Sequence, residues 1–276
     1  MAGPTLTAFT DASPCPRVEV FFASFAAGTA TVTVYRLAGG REHRVRGAVR
    51  APVSGALSRI DFEVPFGVPV TYRAEQFNAA GISLGFTDSS SVTIDSADSW
   101  MHNPLDPAGA ARVIIGDETA KTITRPTPGV VSRPKGRVVG VVLSEPRQGV
   151  TGLQVLVRTS ADADADRVQG MVGDDNMPPV VCIRLGGDDR RMRVPQPLFL
   201  SALSVAEIDV NHRWGGSELA HSFEGDEVDP PTPGLYVPLL RRKDLDAFFV
   251  TRAAMDASAM KRSDLDRRYD LAGFGG

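Results

Sequence analysis

The residue types able to do chemistry are scattered along this chain, and their spacing argues against each reaction they suggest. Gly81-Ile82-Ser83-Leu84-Gly85 spells the glycine-framed serine of a nucleophile elbow. That motif needs a strand-to-helix turn, whereas here it falls in a predicted β-hairpin. Asp162, Asp164 and Asp166 alternate like the first ligands of a calcium loop, yet the glycine due at the sixth place is Arg167 and the bidentate acid due at the twelfth is Gly173. The reading for these three is helix-start carboxylates favoured by the dipole, with Ser160 as N-cap. His43, His102, His212 and His221 show no i, i+4 pairing and no cysteine at metal-ligand spacing, so they read as surface or loop histidines. Glu224, Asp226, Glu227 and Asp229, with Asp188 and Asp189, would make a glycosidase pair only if two carboxyls stood about 5 to 10 Å apart in a cleft. A solvated acidic loop is the simpler reading. The expectation is no catalytic residue, no metal and no cofactor.

Composition points to a chain built for shape. At 276 residues and 42% hydrophobic content there is enough apolar surface for two cores of roughly 100 to 150 residues each. A net charge of −3 leaves no electrostatic footprint for nucleic acid or an anionic membrane, and no segment approaches a membrane span. Cys15 and Cys182 fall in separate expected domains, which disfavours a bridge between them and fits folding in a reducing compartment. Met1-Ala2-Gly3-Pro4 opens a stretch with neither the basic start nor the apolar run of a signal peptide. The expectation is a protein made and folded in the cytosol.

Period-two alternation dominates, so the fold class expected is all-β. Val18, Val20 and Phe22 alternate, as do Val32 and Val34, and then Ile60, Phe62 and Val64 are placed on one face. Beyond residue 110, a second core is expected to begin at Arg137-Val138-Val139-Gly140-Val141-Val142-Leu143 and to continue through Leu153, Val155 and Val157. Glu118 to Thr124 reads as a strand beside the junction, residues 161–171 as a short helix, and Ser204 to Val210 with Glu218 onward as a closing hairpin.

Between the halves, Asp98-Ser99-Trp100-Met101-His102-Asn103-Pro104-Leu105-Asp106-Pro107 shows no apolar alternation and carries two turn-forming Asx-Pro pairs. It is expected to be a stiff joint, with Pro104 and Pro107 holding it extended and Trp100 pinning it against a domain. The expected order is an extension over 1–13, a β-sandwich over 14–97, a Pro-containing linker over 98–110, a second sandwich with a short helix over 111–237, and a partly helical arm over 238–276. Leu245, Phe248, Phe249, Leu265 and Tyr269 form the arm's apolar side. These residues are too few for a core of their own and are expected to dock on a neighbour.

Two resemblances follow. Tyr72-Arg73-Ala74 and Asn78-Ala79-Ala80-Gly81, with the strands around them over residues 14–96, resemble a fibronectin type III domain, except that the corner tyrosine's place is taken by Val70. Trp100 to Pro107, Gly149-Val150-Thr151-Gly152-Leu153, the aspartate-led helix, Pro197-Leu198-Phe199-Leu200, Glu227-Val228-Asp229-Pro230-Pro231 and the Asp-Leu units of the arm resemble minor tail proteins of long-tailed actinobacterial phages. That resemblance implies a non-enzymatic virion protein near the tail tip, overlapping the role of distal tail proteins. Its expected partners are copies of itself, as a trimeric or hexameric ring, and the tail tube, tape-measure and baseplate proteins. The alternative is a glycan-binding module, for which Trp100, Trp214 and Tyr236 are the candidate aromatics; a hydrolase would rest on the acidic loops.

Overall fold

Alternating apolar residues build the first sandwich out of nine strands: β1 (Thr5–Phe9), β2 (Arg17–Phe22), β3 (Thr31–Ala38), β4 (Arg41–Arg44), β5 (Ala51–Pro52), β6 (Leu57–Asp61), β7 (Val70–Phe77), β8 (Ser83–Phe86) and β9 (Ser90–Val92). The computed structural model describes residues 3–172, 177–232, 242–249 and 251–258. One sheet runs β1-β2-β6 and the other β4-β3-β7-β8, with β5 pairing β3 and β9 pairing β7. Val18, Val20 and Phe22 of β2 meet Val32 and Val34 of β3 and Val70, Tyr72 and Ala74 of β7 in a shared core. Two expectations change. The supposed extension over 1–13 contains β1, which pairs with β2 from Thr5↔Phe21 to Phe9↔Arg17. Along and after β6, Leu57, Asp61 and Glu63 are buried while Ile60 and Phe62 are only half-buried, so the phase is the reverse of the one expected up to Phe62.

The second half adds β10 (Ser99–Asn103), β11 (Asp106–Ile115), β12 (Gly129–Ser132), β13 (Val141–Ser144), β14 (Leu153–Thr159), α1 (Asp162–Gly170), β15 (Val180–Arg184), β16 (Leu198–Ser201), β17 (Ala206–Asp209) and β18 (Leu219–Gly225). Seven of these strands lie in the antiparallel order β16-β15-β10-β11-β14-β18-β17. β11 bends from pairing β10 to pairing β14 through Ile114 and Ile115, a strand switching sheets at a corner. The far side is closed by a bridge between Leu200 and Glu227 and by the Ser201 amide donating to the Asp226 carbonyl at 3.0 Å. Gly225 permits that approach, because a Cβ there would sit 2.0 Å from the Ser201 carbonyl oxygen. The two halves of the curled sheet face each other across Met101, Val113, Leu153, Val155, Ile183, Leu200 and Phe223, with Val168 and Met171 at and beyond the end of α1 packed into the same core.

The joint is where the sequence reading fails most. Residues 98–110, expected as a linker, form β10, its turn and the start of β11, in the middle of the second sheet. All five residues of β10 are buried, because Met101 faces the second core while Trp100 faces the first. A strand buried on both faces shows no alternation, which is why the stretch looked irregular. Pro104 lies in the turn, and Pro107 lies where three residues of β10 (Met101 to Asn103) span six of β11 (Ala111 to Asp106), so no regular ladder hydrogen bond is demanded of it.

Other expectations are also revised. The run 137–143, expected to open the second core, is exposed, and β13 pairs only with β12. Glu118 to Thr124 is a turn with one isolated bridge, Thr124↔Thr151. Ala161, not Ser160, caps α1, and no side-chain hydrogen bond contributes. The arm holds α2 (Arg242–Phe248) and α3 (Arg252–Ser258). No helix among the described residues is long and apolar enough to cross a membrane.

Candidate functional site

The outer face of β10, β15 and β16 packs onto the first sandwich, and the polar groups of the molecule concentrate there. On β15, Val181 and Ile183 point into the second core, so the alternate residues, Cys182 and Arg184, point the other way, and both are fully buried. His102 of β10 stands opposite Cys182 in the ladder. Across the seam the first sandwich presents Arg36, the next inward position after Val32 and Val34 on β3.

Arg36 is fully buried and is held by a bidentate carboxylate. Its Nη1 donates to both oxygens of Asp61, at 2.7 and 2.9 Å, and Glu63 stands 3.7 Å from Nη2. The Tyr72 hydroxyl donates to Asp61 at 2.7 Å, and the Glu63 amide donates to it at 2.9 Å. Asp61 is thus saturated, as a buried charge must be. Burial works against the Arg36 charge, but Asp61 and Glu63 outweigh it and hold the guanidinium protonated. Burial and the neighbouring Asp61 carboxylate push the Tyr72 phenol well up, so it stays a donor. Glu63 also accepts from Arg46 Nε at 2.9 Å, and Arg46 Nη1 reaches the Pro231 carbonyl at 3.1 Å. The network therefore runs from one core to the end of the second domain.

Arg184 crosses the seam in the other direction. Its Nη1 donates to the Pro16 carbonyl at 2.7 Å, and its guanidinium carbon lies 4.7 Å from the centre of the Phe66 ring, a geometry suited to cation–π attraction. Arg41 Nη1 to Glu227 at 2.7 Å and Arg190 Nη1 to Asp95 at 2.9 Å add two rim contacts. Asp95 lies between the sandwiches, in the stretch leading to β10.

His102, Cys182 and Cys15 are also buried inside this seam. Both thiols are free and buried, and burial pushes both up, so they remain thiols. Burial, then Arg184, Arg46 and Arg36, depress His102 well below an ordinary histidine. His43, half-buried near Phe199, is pushed down to about 4 by burial, Arg36 and Arg41. For such groups the unfolded chain takes up a proton below pH about 6.5 that the folded chain refuses. Their contribution is complete above that pH and is lost as pH falls toward the folded value. We expect denaturant titrations at pH 7, 6 and 5 to show falling stability, and His102→Gln to flatten the fall by up to about 1.4 kcal/mol per pH unit. Parallel profiles for the two proteins would mean that His102 titrates normally.

The residues singled out from sequence that the structure describes fall as follows. Trp100 is buried in the first core and donates from Nε1 to Ser96 Oγ at 3.3 Å. Leu245, Phe248 and Phe249 lie on and just after α2, where the two phenylalanine rings meet edge to face at 4.9 Å. Leu265, Tyr269 and Tyr236 lie outside the described residues. Ser83 sits in a hairpin, as expected. His102 and His221 are fully buried within strands, not on the surface, and His43 is half-buried. The acidic loop is engaged in structure. Glu227 accepts from the Val150 amide at 2.9 Å, Asp226 from the Gly152 amide at 2.8 Å, and Glu224 from Gln154. Among the described residues no group of His, Cys, Asp and Glu is arranged to hold a metal.

A cleft of about 390 Å³ opens where the two sandwiches meet α1, between Pro14, Asp98, Arg112 and Arg167. Trp100 forms part of its wall, while the exposed Trp214 does not line it. The residues that sequence reasoning missed are Arg36, Asp61 and Arg184, and it gave His102 a surface place and Tyr72 no polar role. One signal was present: continuing the Val32, Val34 phase by two places puts an arginine indoors and requires a buried carboxylate to meet it. No family model, curated protein or solved structure matches the chain.

Proposed function

We propose that this chain is a structural virion protein of a phage tail tip, forming an oligomeric ring or connector between the tail tube and the baseplate or host-recognition parts. The observation that carries the reading is the seam: the buried Arg184 of the second sandwich donates to the Pro16 carbonyl of the first, while Arg46 and Arg41 of the first reach the Pro231 carbonyl and Glu227 of the second. A part whose product is geometry needs such a junction, because an ordinary interdomain contact leaves relative motion as the default. The resemblance of residues 98 to 250 to minor tail proteins supplies the setting, and the arm's Leu245, Phe248 and Phe249 are the proposed contact with neighbouring virion parts. A symmetric ring arises when one such contact closes under rotation.

The test is the mass of the purified full chain by light scattering, alone and mixed with tail-tube and baseplate proteins. A discrete oligomer, or incorporation into a tail assembly, is the expected result. A protein that stays monomeric in every mixture and turns over a polysaccharide would overturn the reading.

A further inference from the structure

A 28-residue excursion between Thr124 and Thr151 leaves the second sandwich and returns to it, closed at its base by the bridge between those two residues. Its strands β12 and β13 pair as Val130↔Leu143 and Val131↔Val142. Side chains on adjacent positions alternate between faces, so both faces of this hairpin carry apolar residues. All four are well exposed, Val131 at 64% and Val142 at 66%. Beyond them, Val138 and Val139 are also exposed toward the tip. A two-stranded ribbon with two apolar faces is at best marginal alone in water and gains stability by being covered.

The covering surface can be read from charge. The hairpin segment from Arg125 to Gly149 carries five basic residues, Arg125, Arg133, Lys135, Arg137 and Arg147, against one acid, Glu145. The opposite combination occurs at the edge of the seven-stranded sheet where the last strand, among the described residues, is paired on one side only. There β17, the terminal strand, is exposed along its whole length and carries Glu207 and Asp209 around Ile208. Trp214 is 84% exposed just beyond it. α1 lies alongside with Asp162, Asp164 and Asp166, as the Gln169 to Glu207 hydrogen bond at 3.2 Å shows. One end of the chain's surface is thus apolar and cationic, and another is an apolar strand edge where acids outnumber bases, Asp209 being paired with Arg213 and Asp164 with Arg167.

We infer that the β12–β13 hairpin of one copy docks on the β17 edge of a second copy, extending its sheet by strand addition. This rests on the structural reading above and names the contact. Backbone pairing at an open edge supplies affinity, and the charge pattern supplies register and direction. Because the two surfaces differ, the contact is head-to-tail, and it closes into a ring or runs on as a filament according to its rotation.

Two full-length variants test it, each changed only at exposed positions and checked by thermal melting for a wild-type fold. One has the hairpin spoiled by Val131→Asp with Val142→Asp, and the other has the edge spoiled by Glu207→Lys with Ile208→Lys. Sedimentation should find wild-type oligomers that dissociate as salt is raised, and each variant alone should be a monomer. An equimolar mixture should give a dimer, since one intact hairpin then meets one intact edge. An edge variant that assembles like wild type, or a mixture that stays monomeric, overturns the inference. Wild-type protein that is monomeric alone yet enters tail assemblies overturns this contact and leaves the proposed function standing. Wild-type protein that does neither removes both.

Discussion

Replacing Asp61 by alanine is expected to cost about 3 to 5 kcal/mol, the range for breaking a buried ion pair from one side. The side chain removed is, among the described residues, the only carboxylate within 3 Å of Arg36, and the guanidinium it leaves behind is fully buried. Glu63 at 3.7 Å is already shared with Arg46, so it cannot replace both lost hydrogen bonds. The Tyr72 hydroxyl and the Glu63 amide lose their acceptor in the same step, at roughly 1 to 3 kcal/mol for each group left unsatisfied. These losses share one origin and do not add in full. A total stability of about 5 to 15 kcal/mol leaves such a variant near the edge of folding, and urea unfolding would show the midpoint fall. The companion variant Arg36→Met, Asp61→Leu, Tyr72→Phe removes the three side chains that meet at Asp61, leaves Glu63 paired with Arg46, and should recover part of the loss. If Asp61→Ala melts with wild type, the network contributes little and the first sandwich is held by apolar packing.

Arg184→Ala is expected to act on the coupling between the sandwiches as well as on total stability. It removes the hydrogen bond to Pro16 and the contact with the Phe66 ring, and leaves a hole between two cores. About 3 kcal/mol is reasonable for a buried large-to-small change combined with a lost charge-assisted hydrogen bond. The distinctive readout is cooperativity. Wild type should unfold in one calorimetric transition, whereas Arg184→Ala should show two, because each sandwich has its own apolar cluster. Arg184→Met keeps most of the volume and should lie between the two. A single sharp transition in Arg184→Ala would show that Trp100 and the rim contacts suffice to couple the halves.

The legibility of this fold followed burial. Strands with one face in a core and one toward solvent, such as β14 with Leu153, Val155 and Val157, alternate and are readable directly. β10 and β15 have cores on both sides, so Trp100, His102, Cys182 and Arg184 fill positions where solvent-facing polar residues would be expected. The apolar run over residues 137–143 misled in the opposite sense. Its composition is that of a core strand, yet Val138, Val139 and Val142 are exposed on a projecting hairpin. Nothing in a run of valines distinguishes a face meant for its own core from a face left for another molecule.

Alternation, turn residues and prolines were enough to establish an all-β chain with two cores and a partly helical tail, because those signals are local and repeat every two residues. Which polar side chains would be taken out of water depended on contacts between residues far apart in the chain, such as Arg36 with Asp61 and Arg184 with Pro16. A charge is tolerated indoors only where distant partners converge on it, and that convergence exists only once the sheets have packed.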